Sequence, residues 1–156
     1  MLLSGETATV VAYAMSLVRF GDSARSHLLT SAPNPTFVGR KLNDIFFHRN
    51  RLGFVADENV VMSRAGEFYE FFPETVVTVL DTDPLDVAST HSKVSILRHV
   101  VSFAEELLLF SDQTQFMLTG GTTLTAKNVA INVATEFEID KNVKPIGSGN
   151  NVFFAF

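Results

Sequence analysis

From Leu42 onward, apolar residues come in short runs separated by polar residues, as in Ile45–Phe47, Leu52–Ala56 and Asn59–Ser63. Runs of this length rich in Val, Ile and Phe read as strands. Asp57-Glu58-Asn59 separates the second run from the third as a short hairpin loop does. Gly53 inside a strand-like run points to a bulge or a close approach of another group to the backbone. Phe68, Phe71 and Phe72 stand at i, i+3 and i+4, which predicts one short helical turn over Glu67–Phe72, ended by Pro73. Thr75–Leu80, TVVTVL, is a β-branched strand candidate. Asp81–Asp86 reads as an Asp-Pro turn. Val94, Leu97 and Arg98, with Ser89 or Thr90 as cap, predict a helix over residues 89–99. Glu106–Ser111 and Gln113–Thr119 form a second hairpin around Asp112, and Gly120-Gly121 marks a turn. Asn128–Glu138 alternates, with Val129, Ile131 and Val133 on one side. Val152–Phe156 opens a last strand.

About seven short strands result, with turn signals every 8–12 residues and one or two short helices. The expected fold is therefore mainly β, of short antiparallel strands resembling part of a β-propeller. The runs 51–63 and 106–119 suit inner strands of successive blades. Three parts are expected: an N-terminal segment 1–20, an extended arm 21–41 containing Pro33 and Pro35, and a β-rich portion 42–156. Residues 1–20 have an apolar middle but no basic stretch ahead of it. They are also too interrupted to span a bilayer, so no membrane partner is expected.

Composition sharpens this picture in three places. The chain has 156 residues, 46% of them hydrophobic, which suits one folded domain or a piece of a larger one. Fifteen Phe against two Tyr and no Trp means large apolar side chains without a polar handle, which require burial. Zero Cys excludes a disulfide framework, a thiolate metal site and a Cys nucleophile, and the net charge of −5 argues against a general nucleic-acid binder.

Candidate chemistry is sparse. Asp81, Asp83 and Asp86 have carboxylates for a hard cation but lack the spacing of a calcium loop. Glu136, Glu138 and Asp140, read as one strand face, and Glu105-Glu106 supply the acids that glycoside hydrolysis needs, if brought together. His27, His48, His91 and His99 form no i, i+4 zinc pair. Gly147-Ser148-Gly149 precedes a strand, so it reads as a turn and not as a phosphate cradle. Arg40, Lys41, His48, Arg49 and Arg51 are the densest basic cluster, interleaved with Phe46, Phe47 and Phe54. They suit either a phosphate or partner contact, or Arg49 and Arg51 pointing to one sheet face and binding backbone carbonyls or acids of a neighbouring element, which is the favoured reading. No catalytic residue, cofactor or metal is expected.

The order of motifs adds a resemblance. Asn34-Pro35-Thr36-Phe37-Val38-Gly39, Asn43–Phe54, Glu58–Arg64, Asp83–Ala88, Glu105–Asp112, Gln115-Phe116, Leu124-Thr125, Lys144–Gly147 and Asn151-Val152 resemble the tail nozzle (tail tubular protein B) family of T7-like podoviruses. The resemblance runs through residues 21–156. It covers an internal portion of a family chain several times longer, so this chain is expected to be a fragment or truncated version. It implies a virion structural protein of the short-tail nozzle, made in the host cytoplasm and assembled into a homo-oligomeric tube with propeller parts. Its implied partners are the upper tail ring or adaptor, the tail fibres, and DNA passing without sequence-specific contact. A tail-associated polysaccharide-degrading enzyme and a small β binding module with its face around Phe46–Phe54 are the alternatives.

Overall fold

The computed structural model describes residues 33–91, 94–103 and 105–156. Two antiparallel sheets of four strands follow one another along the chain, each a meander whose spatial order equals its chain order. The first contains β1 (Leu42–His48), β2 (Arg51–Ala56), β3 (Asn59–Met62) and β4 (Leu85–Ala88). The second contains β5 (Leu97–Phe103), β6 (Glu106–Ser111), β7 (Gln115–Thr119) and β8 (Ala130–Thr135). A small hairpin of β9 (Ile146–Ser148) and β10 (Asn151–Phe153) completes the architecture.

The turns follow from residues that tolerate left-handed backbone. Arg49 and Asn50, at φ 44° and 59°, join β1 to β2, and Asp57 at φ 52° opens the turn from β2 to β3. Asn and Asp adopt this region readily, whereas Arg does so rarely. Gly149, at φ 58°, does the same between β9 and β10, so the turn is Gly149-Asn150, while Gly147 and Ser148, expected in the turn, belong to β9.

Alternation along the strands sends side chains to two faces. Val55, Val60, Met62 and Leu85 from the first sheet meet Leu97, Val100, Leu107, Leu109, Phe116 and Leu118 from the second, making the main core between the sheets. Each fully buried Val or Leu contributes about 1.5–3 kcal/mol of transfer free energy. The far face of the first sheet carries Phe54, Ala56 and Val61, covered by Phe37 and Phe71. Phe37 meets Phe54 and Phe71 edge-on at centroid distances of 5.5 and 5.1 Å. The far face of the second sheet carries Val101 and Phe110, covered by Ile139, Val152 and Phe154. The order is thus loop, sheet, core, sheet, C-terminal cover.

Gly53 lies opposite Phe46 across the β1–β2 ladder. A Cβ at Gly53 would fall 2.2 Å from the Phe46 ring, so the glycine serves a close approach of that ring to the strand.

Several expectations are corrected. No helix forms among the described residues. Leu97–Phe103 is strand β5: Val94 is 83% exposed, while Val100 and Val101 are buried across from Leu109 and Leu108. Ladder pairing outweighs a weak three-point helical spacing. Glu67–Phe72 forms turns closed by Glu70 N–H donating to Glu67 O at 3.1 Å, although Phe71 and Phe72 are buried as their spacing implied. Thr75–Leu80 is no strand; Val76, Val77 and Val79 project to solvent. β4 forms instead at Leu85–Ala88, where Asp81–Asp86 was read as a turn only. The N-terminal segment 1–20, most of the 21–41 arm and His27 lie outside the described residues. Within that arm, residues 35–40 form a turn that buries Phe37.

Candidate functional site

His48, Arg49 and Arg51 gather with Asp81 and Glu105 at the β1–β2 turn. Arg51 stands at the start of β2, on the face turned to the second sheet, and is only 2% exposed. Its Nη1 donates to Ser63 O at 2.8 Å, Asp83 O at 2.7 Å and Thr82 O at 3.3 Å. Its Nη2 donates to Asp81 O at 2.9 Å and Leu124 O at 3.2 Å. One guanidinium therefore ties the end of β3, the 81–83 loop and the loop between β7 and β8. Burial draws its pKa below the ordinary value, and the Asp83 carboxylate pulls in the opposite direction.

Arg49 reaches the second sheet from the same turn. Its Nη1 donates to Gly121 O at 2.6 Å and its Nη2 to Glu105 O at 2.9 Å. The left-handed backbone at Arg49 carries strain, and the side chain's two carbonyl bonds offset it. His48 is buried beside it, and burial first, then the Arg49 charge, lower its imidazole pKa. A cavity of about 610 Å³ opens here, lined by His48, Arg49, Asp81, Thr82, Glu105 and Thr122 among others. Its two guanidiniums are committed to backbone carbonyls, so of the two kinds of partner expected for Arg49 and Arg51, carbonyls or acids, the bonds go to carbonyls. Arg40 is spent on Asp57 at 2.7 Å, and Lys41 is exposed.

The carboxylate candidates serve separate structural tasks. Asp83 is buried and accepts from Leu80 N at 2.8 Å and Glu74 N at 3.3 Å. Asp86 accepts from Thr36 N at 2.8 Å and Thr36 Oγ1 at 2.7 Å. Asp81 points its carbonyl at Arg51 and is exposed. Among the described residues no three His, Asp or Glu side chains are grouped to hold a metal ion.

Glu105 and Glu106 stand at the β5–β6 turn, whereas Glu136 and Glu138 follow β8, beside the opposite end of β6. Six residues of strand at about 3.3 Å each separate the two groups by roughly 20 Å, well beyond the roughly 5–9.5 Å that paired glycosidase carboxylates require. Nor do Glu136, Glu138 and Asp140 share a strand face, because β8 ends at Thr135. Glu136 pairs with His91 at 3.7 Å, and Asp140 accepts from Asn142 N at 2.8 Å. His99 Nε2 bonds Lys141 O at 3.0 Å.

The aromatic patch around Phe46–Phe54 is largely consumed by packing. Phe54 is 4% exposed and Phe46 covers Gly53, leaving Phe47 exposed with Ile45.

Sequence reading missed Asp44. Its carboxylate accepts from Val100 N at 2.9 Å and Lys144 Nζ at 2.7 Å, while Asn43 Nδ2 donates to Leu97 O at 2.7 Å. β1 and β5, the first strands of the two sheets, are thereby pinned side by side. The signal was present as two polar residues interrupting an apolar strand.

Two comparisons bear on these observations. Residues 29–156 match the family described as bacteriophage nozzle protein. The tail tubular protein gp12 of Escherichia phage T7 is 46% identical over 123 residues, which are 79% of this chain and 16% of that relative. The chain thus spans about a sixth of the length of the relative it matches.

Proposed function

The chain belongs to the bacteriophage nozzle protein family, and from that premise we propose that it is wall material of a short phage tail, part of the conduit through which DNA leaves the virion. Two consecutive four-stranded meanders stacked face to face, their first strands pinned together through Asn43 and Asp44, support a reading as neighbouring propeller blades. In that reading the β9–β10 hairpin against Val101 and Phe110 belongs to the next blade. The observation that carries the proposal is the family match over residues 29–156, on a fold whose charged groups are used to fasten one sheet to the other.

Its partners in this reading are further copies of the nozzle subunit, the upper tail ring and the fibres. DNA passes without base-specific contact, and the assembled protein resides in the virion tail. A structural role, with no catalytic step, fits carboxylates that stand at opposite ends of the second sheet. The test is purification of tails from the phage that encodes the chain, with mass spectrometry of their components and electron microscopy of labelled particles. The expected result is label at the distal tail tube. Tails that assemble and eject DNA without this chain overturn the proposal.

A further inference from the structure

Thr75–Leu80 has the composition of a strand and none of its pairing. It lies in the long connection between Met62 and Leu85, and loops of that length in compact domains are uncommon and usually functional. Both of its feet are fixed. Glu74 pairs with Arg64, and Asp83 accepts from Leu80 N and Glu74 N while Arg51 holds the carbonyls of Asp81, Thr82 and Asp83. Between those feet Val76, Val77 and Val79 are 56%, 86% and 56% exposed. The fold thus presents an uncharged, β-branched hexapeptide on a rigid base.

The second sheet offers a matching edge. β8 is its last strand, and among the described residues no backbone group of Ala130–Thr135 bonds outward. It also spans six residues, with no charge and no proline to block addition of a strand. The other edges of the two sheets are covered or guarded. β1 and β5 are pinned to each other, and β4 carries Asp86 bound to Thr36.

We propose that residues 75–80 of one copy add antiparallel to β8 of a second copy, as a fifth strand of its sheet. Charge selects the direction. Antiparallel addition brings exposed Asp81 toward exposed Lys127, and sets opposite Glu136 the Glu74 carboxylate, whose charge Arg64 already offsets. Parallel addition would bring Asp81 toward Glu136 and Glu138. The hexapeptide, now bent at Val76–Thr78, straightens on pairing. The contact is heterologous, with different surfaces meeting on the two copies, so it closes rings or extends filaments. This inference rests on the proposed association of nozzle copies and deepens it by naming one contact; its failure leaves the tail role standing, since the labelled-particle test above reads that role separately.

The experiment uses the 156-residue chain. Sedimentation should show association that strengthens with concentration, weakened on the order of tenfold by Val77→Pro and by Val133→Lys, each with an unchanged unfolding midpoint. Because the chain has no cysteine, Val77→Cys and Val133→Cys chains can be mixed and mildly oxidised. The mixed disulfide dimer should form faster than either like-with-like dimer. A chain that stays monomeric, association indifferent to both substitutions, or equal trapping in all three combinations overturns the proposal.

Discussion

Replacing Arg51 by Met removes a buried cation while nearly preserving its length, and this isolates what the guanidinium does. Five carbonyl oxygens surround it, three of them within 2.9 Å: Ser63, Asp83 and Asp81. Hydrogen bonds to a charged donor are worth about 1.5–3 kcal/mol each in place. Burying the cation costs several kcal/mol, which Met recovers. What Met cannot recover is the desolvation of the carbonyls it abandons, about 1–3 kcal/mol for each that finds no water. With two or three left dry, the net loss is about 3–5 kcal/mol, a large part of a typical stability of 5–15 kcal/mol. Urea unfolding followed by fluorescence or circular dichroism measures it. The midpoint should fall with little change in slope, and the thermal midpoint should drop by roughly 6–20 °C. Arg51→Lys, keeping charge but losing the fork, should cost less than Arg51→Met. An Arg51→Met variant within about 1 kcal/mol of the parent would refute the view that this side chain fastens the two sheets.

Other substitutions probe separate parts of the fold. Gly53→Ala should destabilise by about 1–3 kcal/mol through collision with the Phe46 ring, and the cost should shrink in a Phe46→Ala background, a coupling read from a double-mutant cycle. Leu109→Ala, in the core between the sheets, should cost about 2–5 kcal/mol in the same unfolding assay. Asp112 is held below the usual carboxylate range chiefly by its hydrogen bond from Arg98, with Lys141 adding. Its contribution is therefore complete above pH ~4 and is lost as pH falls through the lower folded value, so Asp112→Asn should flatten the acid limb of stability. His48 has a lowered folded pKa, so the unfolded chain binds its proton more readily. Stability from this group is full above pH ~6.5 and declines as pH falls toward the folded value, and His48→Gln should remove that part of the profile.

Much of the fold was legible because its signals are local. The Asp57-Glu58 and Asp112 turns, and the strands they join, are written in alternation and turn chemistry that act within a few residues. Gly53 announced a close approach, although only the structure shows the ring that makes it. The helix expected over residues 89–99 gives way to strand β5 from Leu97, because a three-residue helical spacing and a strand both suit Leu97-Arg98-His99. The choice falls to Leu108 and Leu109 on the neighbouring strand. Thr75–Leu80 failed in the opposite sense. Its residues favour a strand, but β3 pairs with β4, and among the described residues no ladder reaches the hexapeptide.

By itself the sequence determined that this is a mainly β chain with no thiol chemistry, and its ordered motifs carried the family. It also favoured Arg49 and Arg51 as binders of carbonyls or acids within the fold over a phosphate-binding face. Tertiary structure alone decided which carbonyls those are, since they belong to segments 12 to 73 residues away. It likewise decided that the acids of the β5–β6 turn and those after β8 stand at opposite ends of one sheet. Strand and turn preferences are set by neighbours along the chain. Convergence of distant groups is set by how two sheets pack, and spacing in sequence does not record that distance.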